Sequence, residues 1–132
     1  MLEHNMGDLS ALIREDRVHR RVYKDPELFE LEMARIFGRA WIYVCHESQV
    51  KKSGDYYTTR IGRQPVIMVR HEDGKIHVLH NRCGHRGALV AMAETGSVSE
   101  FRCAYHGWTY RTDGTLSAVP IAQGYPGNLD LG

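Results

Sequence analysis

Asn81-Arg82-Cys83-Gly84-His85-Arg86-Gly87 and Phe101-Arg102-Cys103-Ala104-Tyr105-His106-Gly107-Trp108 are the two stretches that decide how this chain is read. Each holds one cysteine and one histidine in close succession, and 17 residues separate His85 from Cys103. Together they offer two thiolates and two imidazoles. An ordinary ferredoxin cluster takes four cysteines, whereas a 2Fe-2S centre with two Cys on one iron and two His on the other takes this set. Two Cys and two His also suit a tetrahedral structural zinc ion. Zinc pairs, however, usually stand two to five residues apart with both members often of one type, a habit that Cys83-Gly84-His85 fits poorly.

The residues around the pairs extend the reading. Both runs closely resemble the N-terminal Rieske domain of the alpha (large) subunit of aromatic-ring-hydroxylating dioxygenases. The resemblance continues upstream through Trp41-Ile42-Tyr43, His46-Glu47-Ser48-Gln49, Gly54-Asp55 and Ile61-Gly62-Arg63-Gln64-Pro65-Val66, and downstream through Asp113-Gly114 to Pro120. It covers roughly residues 20 to 125 and favours iron over zinc. It implies a mainly β fold, a small Rieske-type sandwich with two cluster-binding loops preceded by an N-terminal helical arm. It also implies that Cys83, His85, Cys103 and His106 hold a 2Fe-2S cluster, the two imidazoles on the outer iron.

The same resemblance implies an enzyme system. A reductase or ferredoxin passes electrons from NAD(P)H through the cluster to a mononuclear non-haem iron, which hydroxylates an aromatic ring. That second iron, held by two His and one carboxylate, is expected only in a C-terminal catalytic domain absent from these 132 residues. Expected partners are the electron donor, neighbouring alpha subunits, often beta subunits, and an aromatic substrate bound by the absent domain. The expected division is an arm and helix over 1–39, the cluster domain over 40–125, and the start of a linker over 126–132. A stand-alone Rieske ferredoxin that only carries electrons is the main alternative, and a zinc-binding interaction module the remote one.

Respiratory Rieske proteins are expected to carry an extra Cys in each ligand loop, joined as a disulfide; here those positions hold Ala88 and Tyr105. Only Cys45 remains beyond the ligands, following the apolar run Ala40 to Val44, and it reads as a buried, inert thiol. A chain without a disulfide framework fits a reducing compartment. Where respiratory Rieske proteins are expected to place a Ser that donates to cluster sulfur, this chain has Trp108. Tyr110, two residues on, is the expected substitute donor to a Cys sulfur.

Local patterns supply the frame. Asp25-Pro26-Glu27 opens a helix, with Asp25 as cap and Pro26 at the first position. Phe29, Met33, Ile36 and Phe37 recur at helical spacing as core-facing residues, and Gly38 is a natural stop. Strands are expected over Ala40 to Val44, Tyr56 to Ile61, Val66 to Arg70, Lys75 to His80, Gly107 to Arg111 and Thr115 to Val119. Asp73-Gly74 and Asp113-Gly114 form the hairpin turns. Each ligand pair then falls just beyond a strand, one ending at His80 and the other at Arg102.

A net charge of +1 gives no strong field for nucleic acid or an anionic membrane. The basic residues of the arm, Arg14, Arg17, Arg20, Arg21 and Lys24, lack interleaved aromatics before Tyr23, so a protein contact is the expectation there and nucleic acid is not. No apolar run approaches the ~18 residues that suggest a membrane span, and the N-terminus shows no signal-peptide core, so a cytoplasmic location is expected. His4, His19, His71 and His77 lack a partner pair. His46 and His80 lie in family-like stretches but are not expected to be ligands.

Overall fold

The computed structural model describes residues 9–125, and these divide into two compact units between Trp41 and Ile42. His4 and the expected linker over 126–132 lie outside the described residues.

The first unit is helical. A 3-10 turn at Leu9–Leu12 and an isolated bridge between Ile13 and Val18 lead to a one-turn helix, α1, at Arg21–Lys24. Helix α2 then runs over Pro26–Glu32, with the Asp25 carboxylate accepting from the Glu27 backbone N–H and Pro26 inside the first turn, as the sequence dictates. The coil continues as a π-helical turn, Met33–Phe37, and ends at Gly38, the expected stop, with φ −88°. Phe29, Ile36 and Phe37 are expected to face a core, yet each is more than a third exposed, and no described residue of this unit is buried. The periodicity reads the helix correctly, but so short a unit has too little interior to enclose an apolar stripe.

The second unit is built of two antiparallel sheets. The larger has the order β3-β2-β1-β4, from Ile76–His80, Gln64–Arg70, Asp55–Ile61 and Thr95–Ser97; the smaller has the order β5-β6-β7, from Glu100–Arg102, Thr109–Arg111 and Leu116–Ala118. Strand β2 has neighbours on both sides, and its four consecutive residues Val66, Ile67, Met68 and Val69 are all buried. Such an unbroken apolar run is the mark of a strand covered on both faces. Tyr56, Ile67 and Val69 from the larger sheet meet Phe101 from the smaller in one core, joined by Ala91 and flanked by Leu79, Val98 and Tyr110. The Tyr56 and Phe101 rings meet edge to face at 5.4 Å. This is the mainly β, two-sheet architecture expected.

Two expectations of the strand reading change. The run over residues 40–44 forms no strand: it has strand-like residues but no ladder partner among the described residues. Strand β4, Thr95-Gly96-Ser97, carries no apolar pattern at all and is set by its pairing, Tyr56 with Gly96. The hairpin of β2 and β3 turns through Asp73-Gly74 in the register Val66 to His80, which delivers the chain at Asn81 to the first ligand loop.

Candidate metal centre

The two ligand loops are local copies of one design. In the first, Cys83 N–H donates to the Ala88 carbonyl at 2.7 Å and Gly87 N–H to the Cys83 carbonyl at 2.8 Å; in the second, Cys103 N–H donates to the Trp108 carbonyl at 2.8 Å and Gly107 N–H to the Cys103 carbonyl at 2.9 Å. Each cysteine is thus tied to the fourth and fifth residues after it. The fourth is a glycine with φ +75° or +73°, a left-handed turn that a side chain would strain. The loops place histidine differently, two residues after cysteine in the first and three in the second.

This geometry sorts the donors by type. Cys83 and Cys103 are both buried. The His85 and His106 rings meet edge to face at 4.6 Å, towards the exposed side, where Tyr105 is 61% exposed and carries the Arg86 guanidinium over its ring. A thiol pair beside an imidazole pair is what a dinuclear cluster needs, two protein donors to each metal.

The donors are electrostatically prepared. Burial alone would raise the Cys83 thiol, but hydrogen bonds from Tyr110, from the His85 backbone N–H, from Cys103 and from the Arg86 backbone outweigh it and hold the pKa below the usual thiol value. Desolvation, with repulsion from His85 and Arg86, lowers His106 and favours the neutral imidazole a metal requires. His85 Nδ1 is a buried nitrogen with no hydrogen-bond partner. Such an atom normally costs stability unless something binds it, and metal coordination would satisfy it, so the residues fit the cluster.

Tyr110 crosses from β6 to the first loop, its hydroxyl 3.2 Å from Cys83 Sγ and accepting from Gly84 N–H at 2.8 Å. Burial, then the contact with Cys83, pushes its pKa up to about 12. Tyr110 therefore stands where the sequence reading puts a sulfur donor. Asn81 was given no role by that reading. It is buried, its Oδ1 accepts from the Val90 and Ala91 N–H groups, each at 2.9 Å, and its Nδ2 donates to the Ala91 carbonyl at 2.7 Å. That clamp closes the first loop from its far end. The available signal was a residue able both to accept and to donate, two positions before a ligand cysteine.

His46, His71, His80 and Cys45 have other local contacts or positions. His46 caps the 3-10 turn Glu47–Gln49, His80 is exposed at the end of β3, and His71 meets Thr112 Oγ1 at 2.6 Å. Cys45 is half-buried with Sγ 3.0 Å from Met68 Sδ, and burial raises its thiol pKa, as suits an inert group.

Comparison with known proteins agrees with the geometry. Residues 40–126 match the family model of the Rieske [2Fe-2S] domain. The chain is 42% identical to chlorobenzene dioxygenase subunit alpha of Cupriavidus sp. over 92% of its own length and 28% of that protein's. It is 43% identical to the N,N-dimethyl phenylurea N-demethylase subunit alpha of Sphingobium sp., over 83% of this chain and 24% of that one. Naphthalene 1,2-dioxygenase from Rhodococcus sp., solved with bound indole, superposes with a TM-score of 0.80 at 40% identity, over 92% of this chain and 28% of that one. The chain therefore spans little more than a quarter of the length of the relatives it matches.

Proposed function

The chain belongs to the Rieske 2Fe-2S domain family, homologous to the alpha subunits of aromatic-ring-hydroxylating dioxygenases, and from that premise we propose that it is the electron-entry domain of such an oxygenase. In this reading Cys83 and Cys103 hold one iron and His85 and His106 the other. The observation that carries it is the sorting of the donors into a buried thiol pair and an outer imidazole pair, with His85 Nδ1 buried and unpartnered.

When bound, the cluster supplies reversible one-electron chemistry at a potential above that of plant-type ferredoxins, because neutral imidazoles replace two anionic thiolates. The chain's own residues do the rest. Tyr110 and the loop N–H groups offset negative charge on sulfur, Asn81 and the paired glycines keep the loops closed, and the imidazoles face the side where a partner docks. Residues 40–125 form the cluster domain, 1–39 a lead-in arm, and 126–132 the start of a linker to a catalytic domain that binds the second iron and the aromatic substrate. The partners are a reductase or ferredoxin donor and neighbouring alpha and beta subunits, and the location is the cytoplasm. No helix among the described residues is long and apolar enough to cross a membrane.

The test is chemical. Anaerobically purified protein is expected to hold two irons and two acid-labile sulfides per chain, to accept single electrons, and to hydroxylate no aromatic compound with NADH, reductase and oxygen until a catalytic domain is joined to it. Stoichiometric zinc without sulfide would refute the cluster. Hydroxylation by these residues alone would refute the division of labour.

A further inference from the structure

Strand β6 and the residue just before it make two crossings to the first ligand loop. Tyr110, in β6, reaches Cys83 and Gly84. Trp108, two residues earlier, lies over His85 and not over its own neighbour His106: the indole and imidazole planes are 12° apart with ring centroids 5.1 Å apart. We infer that Trp108 is a positioning residue for His85, fixing the plane of that imidazole from the opposite loop. This rests on the cluster reading above and adds to it a residue outside the ligand set.

A metal-bound histidine is usually oriented by a hydrogen bond from its second nitrogen, which fixes the ring before the metal arrives. His85 Nδ1, buried and without a partner, is the nitrogen left for the metal. What bounds the ring is packing: His106 meets it edge-on at 4.6 Å and the indole lies flat against its face. Rotation of the imidazole about its Cβ–Cγ bond would drive its edge into the indole. The indole is itself held. Its Nε1–H donates to the Tyr125 hydroxyl at 3.3 Å, the Tyr125 ring stands edge-on at 5.7 Å, and the Trp108 carbonyl closes the second loop on Cys103 N–H. The imidazole plane governs how the nitrogen lone pair and ring orbitals meet the iron, and so how unpaired spin spreads onto the ring.

The experiment is pulsed EPR of the dithionite-reduced holoprotein, with iron and labile sulfide measured on the same samples. In Trp108→Leu the cluster content is expected to stay at the wild-type value while one of the two histidine nitrogen couplings shifts and the other is retained. Trp108→Phe, which keeps a flat ring, is expected to restore the wild-type couplings. Wild-type couplings in Trp108→Leu would overturn the inference. Should that variant fail to hold a cluster, Trp108→Met keeps more side-chain volume without a flat face: a shifted coupling supports the positioning role and an unchanged one overturns it. A wild-type protein with no sulfide and no histidine-coupled signal would instead refute the cluster reading.

Discussion

The Tyr110 hydroxyl stands 3.2 Å from Cys83 Sγ and accepts the Gly84 N–H at 2.8 Å, and towards a metal-bound thiolate, which carries no hydrogen, the hydroxyl is the donor. Such a bond strengthens as negative charge on sulfur grows, so it favours the reduced state of a cluster held there. Tyr110→Phe is expected to lower the reduction potential. A loss of about 1 kcal/mol of that preference corresponds to roughly 40 mV for one electron. Protein-film voltammetry checks it, and an unchanged potential would contradict this account of the sulfur environment. The wild-type potential is expected towards the negative end of the Rieske range of about −150 to +300 mV.

His85→Ala and Cys103→Ala each remove one donor from a set of four. Metal binding and loop order are coupled, so both variants are expected to lose iron and sulfide together. Amide exchange in the two loops should rise, while β1 and β2 keep their protection. Full cluster content in either variant would show that the donor set has been misassigned.

Gly54 precedes β1 with φ +85°, and a methyl group there would run into the Val98 carbonyl oxygen, whose N–H donates back to the Gly54 carbonyl at 3.0 Å. Both backbone conformation and space are against a side chain. Gly54→Ala is expected to cost about 2–4 kcal/mol, read as a lower urea midpoint with the slope unchanged. A midpoint within error of wild type would disprove the constraint.

Asp113 accepts from the Thr115 backbone N–H at 2.9 Å and from its hydroxyl at 2.8 Å, and these bonds hold its pKa below the usual carboxylate value. A depressed carboxylate contributes stability that is present above its unfolded pKa and lost as pH falls through its folded one. The β6–β7 turn is therefore expected to loosen in acid, below the ordinary carboxylate range. Asp113→Asn should flatten that part of the stability curve, with thermal midpoints measured between acid and neutral pH. Identical slopes in wild type and variant would remove Asp113 from the acid response.

The sequence was most legible where chemistry and turn geometry act locally. The mixed pairs at Cys83 and Cys103 name their cofactor by donor type, Asp73-Gly74 places a hairpin, and Asp25-Pro26 starts a helix, each within a few residues. What escaped depends on partners distant in sequence. Thr95-Gly96-Ser97 becomes a strand only because Tyr56 lies beside it, and residues 40–44 fail to become one for want of a neighbour. Trp108 looked like a poor substitute for a hydroxyl donor, and its contact with His85 is invisible until β6 is laid against the first loop. Likewise, the Asn81 clamp needs Val90 and Ala91 folded back upon it.

That clamp has a kinetic consequence. Asn81 joins both ends of the first loop through three hydrogen bonds, and each cysteine is tied to the glycine four residues on, so the donors are held independently of the charge they carry. Frozen surroundings leave few nuclei to rearrange when an electron arrives or departs. The nine-residue step from Asn81 to Val90 thus serves speed as much as stability: a rigid seat keeps the nuclear barrier to electron exchange small in both directions, as suits a centre that passes its electron on.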